Sequence, residues 1–242
     1  MKKLNKSSEL LWIFGIVFIA LGVSICDKAN LGVSMVAAPA FVIAEALSKI
    51  FPFITVGVTE YLFQGVLLII LCAVLRKVNW KFLLSFVVAF IYGYVLDFFI
   101  WILSPIVINS VLLRWFLLLV GDVLVAFGVA CCFKTYLPLQ VYELFVTAIS
   151  NKFNFTITKV KRAFDFSLLF LSLILAFTLF GDVLTFDFTI IYKTSFHSIG
   201  LGTIVTTIIN SPIIALMSKF IDRVFVSGAR FTKLETLLKQ TY

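Results

Sequence analysis

Charge is what this chain has least of. Only 13% of its 242 residues are Asp, Glu, Lys or Arg, too few to clothe a water-soluble domain of this size. Histidine occurs once, and the four cysteines (Cys26, Cys72, Cys131 and Cys132) form no CxxC pair. A His/Cys metal centre, a disulfide framework and a dithiol redox motif are therefore all left without ligands. The thiols lie in apolar runs and read as inert core groups. No serine–histidine or paired-aspartate constellation stands out, so no cofactor is expected and an intramembrane enzyme has the least behind it of any function class. Short alternating polar and apolar segments are also missing, which excludes a membrane β-barrel.

What the chain does have is apolar length. Hydrophobic residues make up 62% of it, with 28 Phe, and the mean hydropathy is +1.14. The apolar runs are continuous and long enough for bilayer-spanning helices, so the fold class is all-α and polytopic. The net charge of +8 sits in the connections, where it sets topology and meets anionic headgroups rather than nucleic acid.

A stretch from Ile19 to Ser34, IALGVSICDKANLGVS, returns as Val125 to Gln140, VAFGVACCFKTYLPLQ. Gly22 falls on Gly128, Cys26 on Cys132, Lys28 on Lys134 and Leu31 on Leu137, all at one constant spacing. In each copy an apolar helix stops at a polar break carrying a lysine, and a shorter apolar segment follows. Broken segments at matching places in two halves point to a transporter's binding site.

Six full spans are predicted: Leu10 to Cys26, Thr55 to Leu75, Phe82 to Leu103, Val111 to Phe133, Ala163 to Phe180 and Ser198 to Met217. The N-terminal stretch has a charged start and an apolar run but no small-x-small cleavage site, so it reads as a retained span. Leu31 to Ile50 carries Pro39 and Glu45, and Leu137 to Ser150 is too short to cross comfortably; both read as re-entrant or broken helices. Asn151 to Arg162 reads as a basic connection, Gly181 to Phe196 as a loop and the tail from Lys219 as a short surface helix. With both termini inside, only Lys28, Lys49, Arg114 and Lys193 fall outside, as positively charged cytoplasmic loops demand. Eight spans would export the basic turn Arg76 to Lys81. The expected architecture is thus six transmembrane helices in two inverted three-helix repeats, residues 1–108 and 109–242, each with an extra short helix, with both termini cytoplasmic.

Carboxylates at membrane depth are expensive and face a bundle interior or wet cavity. Asp122 lies near the middle of the fourth span and Asp97 in the outer part of the third, while Glu60 sits near the outer end of the second, within reach of the interface. Asn30 and Ser34 at the first break, and Gln140 and Glu143 at the second, stand where exposed helix ends offer backbone groups to a ligand. Arg162 with Asp165 reads as a topology anchor or an ion pair beneath the second short segment. His197 reads as interfacial, and Asn210-Ser211-Pro212 as a packing or kink site in the last span. The substrate-binding candidates are Asn30, Ser34, Asp97, Asp122, Gln140, Glu143 and Arg162, with no catalytic or metal residues.

Taken together, ANLGVS at Ala29 to Ser34, Gly93 followed by Asp97, the Arg162 region and IGLGTIVTTIINSP at Ile199 to Pro212 resemble the bacterial YczE/YitT-like integral membrane proteins. Where that family tends to carry a Pro-Trp-Asp-like or Pro-Arg-Asp-like triplet after each break, this chain has Met35-Val36-Ala37 and Val141-Tyr142-Glu143. The resemblance implies a transport-related protein located in the bacterial cytoplasmic membrane and supplies no substrate. The leading expectation is alternating-access movement of an unidentified small solute. A zwitterion, a neutral solute or a weak acid suits the scarcity of intramembrane arginine better than a dianion. The lipid bilayer is a partner, a proton or cation the coupling ion, and a homodimer one option for assembly. The alternative is the substrate-capturing subunit of an energy-coupling-factor importer.

Overall fold

The computed structural model describes residues 4–180 and 195–228. Most of the Gly181 to Phe196 loop, with Asp182, Asp187 and Lys193, and the tail beyond Gly228 lie outside the described residues. Among the described residues eight helices follow one another: α1 (Ser8–Ala29), α2 (Ala38–Ser48), α3 (Val56–Leu75), α4 (Trp80–Leu103), α5 (Val111–Phe133), α6 (Val141–Phe153), α7 (Ile157–Phe180) and α8 (Leu201–Val224). Six of them, all but α2 and α6, are long and apolar enough to cross a membrane. The protein is therefore a multi-pass helical membrane protein, as its composition requires.

Two boundaries differ from the sequence reading. The polar stretch Asn151 to Arg162 is mostly helical: α6 runs on to Phe153, Asn154 turns in the left-handed region at φ 56°, and α7 begins at Ile157. The last span continues unbroken through Pro212 to Val224. A strand follows it directly, β2 (Phe225–Gly228), paired in parallel with β1 (Leu4–Ser7); most of the tail expected as a surface helix lies outside the described residues.

Glycine dictates how the central pair forms. A Cβ on Gly22 would stand 2.6 Å from the carbonyl oxygen of Gly121, and one on Gly128 would stand 2.6 Å from that of Gly15. The backbones of α1 and α5 thus touch at two crossings, an approach open only to helices with no side chain there. Because Gly15 meets Gly128 while Gly22 meets Gly121, the two helices run antiparallel. Gly57 and Gly93 bring α3 and α4 equally close.

Contacts beyond this pair come in matched sets. α4 packs on α1 and α8 on α5, while α2 packs on α7 and α6 on α3. Each short helix therefore lies against the long helix of the other half of the chain. The Val141 backbone N–H, in the first turn of α6, donates to Gln64 Oε1 midway along α3, and the Lys152 ammonium at the other end reaches the Val74 carbonyl near the end of α3. Likewise α2 packs along α7: Val36, just before it, lies against the core that holds Phe164 and Leu168, and Val42 shares a core with Ala176 nearer the far end of α7. Both short helices start at half depth and run back to the side from which their chain came. The residues before α2, Leu31 to Ala37, are not helical, so the first apolar segment is a re-entrant loop and helix rather than one tilted helix.

Candidate functional site

The two starts meet. A cavity of about 30 Å³ lies between them, beside the middle of α1 and α5, room for about one or two water molecules. Its walls include Ser34, Val36 and Ala37 from the first break and Gln140, Tyr142 and Glu143 from the second. Those residues correspond one to one at the spacing that carries Gly22 onto Gly128. So do Ile19 and Val23 of α1 with Val125 and Val129 of α5 on the same walls. The two triplets that depart from the resembled family, Met35-Val36-Ala37 and Val141-Tyr142-Glu143, sit here.

Around this apolar belt the polar groups are buried. Glu60 is 0% exposed, as are Asp122 and Asp165, and Glu143 is 6% exposed. Tyr142 donates its hydroxyl to Glu60 Oε2 at 2.8 Å, and Gln64 Nε2 stands 3.5 Å from the same oxygen. On the facing wall Lys161 pairs with Asp165 at 3.3 Å, one helical turn apart. Asn210 of α8 lines the cavity and donates to Asp122 Oδ1 at 2.7 Å. Glu60 Oε1, Asp122 Oδ2, Gln140 Nε2 and Glu143 Oε2 are buried with no hydrogen-bond partner, and groups left so at membrane depth are costly enough to mark function.

The expected site residues divide. Ser34, Gln140 and Glu143 line the cavity, and Asp122 stands behind Asn210. Asn30 does not reach it: it turns the chain at φ 51° after α1 and accepts from the Ser195 hydroxyl at 2.6 Å. Asp97 is a helix cap, accepting from Gly57 N at 2.8 Å and the Thr55 hydroxyl at 2.6 Å at the start of α3. Arg162 is exposed, and the ion pair expected of it with Asp165 is made by its neighbour Lys161. His197 pairs with Glu45 at 2.6 Å on the rim near α2. Glu60, Tyr92, Tyr142, Lys161 and Asn210 join the cavity without having been chosen for it. The spacing of Glu60 to Gln64 and of Lys161 to Asp165, one turn each on the two helices that seat α6 and α2, was the available signal.

A second, open hollow of about 550 Å³ lies at the other end of α2, walled by Phe41, Glu45, Asp97 and Trp101 among others. Phe41 also belongs to the core that contains Ile19, Val23 and Tyr92 of the first cavity's walls. The walls of hollow and cavity thus share one hydrophobic core.

Six apolar spans, two half-depth helix starts and a buried polar cavity between them define a multi-pass membrane protein built around an internal polar site. The chain belongs to the family of unknown function DUF6198, whose model matches residues 6–219. Comparison with curated proteins and with solved structures finds no match.

Proposed function

We propose that the protein is a small transporter that moves a solute by alternating access past the two half-depth helix starts, with its halves related as inverted repeats. The observation that carries the reading is that corresponding residues of the two breaks, Ser34 with Gln140 and Ala37 with Glu143, line one cavity. The antiparallel packing of corresponding helices α1 and α5 supports the inversion, because a two-fold axis between antiparallel partners lies across the helices, and hence in the plane of the bilayer. The open hollow walled in part by Phe41 offers an approach from one side. Membership of the YczE/YitT-like group belongs to the same proposal. It rests on the motifs that carry the resemblance, two of which meet in the fold: Val33 N donates to Ser198 O, next to Ile199, at 2.9 Å and Gly202 N to Leu31 O at 2.9 Å. The lysine and arginine distribution supports both termini inside, and the resemblance a bacterial cytoplasmic membrane.

The test begins with a thermal-stability screen of the purified protein against metabolites, since a ligand that binds only the folded form raises its melting point. Uptake of a hit into liposomes that is lost in Glu143→Gln and Asp122→Asn, with both variants folded, is expected. Undiminished uptake in both would sink the site. Uptake that requires a co-purifying ATPase would favour the importer-subunit alternative.

A further inference from the structure

The cavity's polar groups are unbalanced in a way that names a ligand. Glu60 of α3 and Glu143 of α6 line the cavity, while Asp122 of α5 stands behind Asn210 and Asp165 of α7 behind Lys161, against the single ammonium of Lys161. Tyr92 of α4 and Tyr142 of α6 add neutral hydroxyls, and the buried Cys132 thiol of α5 lies within electrostatic range of Glu143. α1 presents only Ile19 and Val23. Four carboxylates facing one cation in so dry a place cannot all stay ionised without further positive charge. The partnerless atoms say what form it takes. Glu60 Oε1 and Glu143 Oε2 need donors, whereas Gln140 Nε2 needs an acceptor. A bare metal ion satisfies the first two but not the third, and an ammonium ion has no acceptor to offer. A proton held on one carboxylate together with the neutral water that delivered it offers both, since the acid and the water donate and the water oxygen accepts, and about 30 Å³ holds that water and little else.

We propose that this cavity is a proton seat, in which a proton delivered on water passes to the free oxygen of Glu143 or Glu60 and the water remains, bridging to Gln140. The step moves one proton and leaves a neutral carboxylic acid, so no other reactant is needed. It deepens the transporter reading by naming the coupling ion of that same site. The solute itself, too large for this space in the state described, meets the seat when the half-depth helix starts part.

The full-length protein in lipid nanodiscs tests this by infrared spectroscopy at fixed ionic strength. Expected is a carbonyl band of a protonated carboxyl group that fades as the buffer is made alkaline, is unmoved by exchanging sodium, potassium or ammonium chloride, shifts or weakens in Glu143→Gln or in Glu60→Gln, and is lost when both are replaced. A missing band, a band untouched by either substitution, or one that disappears on adding an alkali cation at constant pH would overturn the proposal. The wild-type titration alone decides the first of these, whatever the variants do. Because no solute enters the measurement, a protein with the band but no uptake keeps the proton seat and loses the transporter reading. Uptake sensitive to Glu143→Gln without the band does the reverse.

Discussion

The two breaks occupy corresponding places and carry opposite chemistry. Ser34, Val36 and Ala37 give the first a small, mostly apolar lip, whereas Gln140, Tyr142 and Glu143 give the second a polar one. The helices that seat them differ in a complementary way. α3 holds out Glu60 and Gln64 to the polar lip, and α7 holds an internal Lys161–Asp165 pair near the apolar one. Corresponding positions thus line one cavity but differ in polarity, small and mostly apolar on one lip and polar on the other.

The comparison can be broken most forcefully at Lys161. Lys161→Met strands Asp165, and breaking a buried pair from one side costs about 3–5 kcal/mol. Unfolding by a denaturing detergent should show that loss, and the double variant Lys161→Met/Asp165→Leu should recover most of it. A smaller effect tests whether the halves still share their frame. Gly22→Ala and Gly128→Ala each push a methyl group to 2.6 Å from a carbonyl oxygen across the α1–α5 contact. Overpacking of this kind costs about 1–3 kcal/mol, and the two variants should lose similar amounts by the same assay; a large inequality would mean that the central pair is not symmetric in its energetics. Tyr142→Phe removes one hydrogen bond to Glu60 on the polar lip, about 1 kcal/mol, while Val36→Ile, its counterpart on the apolar lip, has no such bond to lose. Arg162→Gln should change stability by less than about 0.5 kcal/mol, sharpening the contrast with its neighbour Lys161.

Much of the frame was legible because bilayer thickness translates into run length, and the runs around Ser8–Ala29 and Val111–Phe133 are long and uninterrupted. The breaks were legible because Lys28 and Lys134 repeat in context. Lys161 was not, since NKFNFTITKVKR has the composition of a solvated loop and only tertiary contact with α2, α6 and α8 buries one face of the helix it forms. Asp97 misled for the opposite reason. A carboxylate within an apolar span signals a buried charge, yet it caps a helix start from Thr55 to Gly57 that lies far away in sequence. Glu60 appeared able to reach the interface until α6 folded back over it and supplied the Tyr142 hydroxyl.

The exchange of short helices between halves has a consequence for biogenesis. As the chain leaves the ribosome, α2 emerges well before α7, on which it packs and with whose Ala176 its buried Val42 shares a core. Until residues 157–180 have inserted, the first short helix has α3 to rest on but lacks its second seat, and that face stays open to lipid and to the insertion machinery. Neither half can mature before its sibling, so quality control sees one cooperative assembly event near the end of synthesis rather than two independent domains completed in turn.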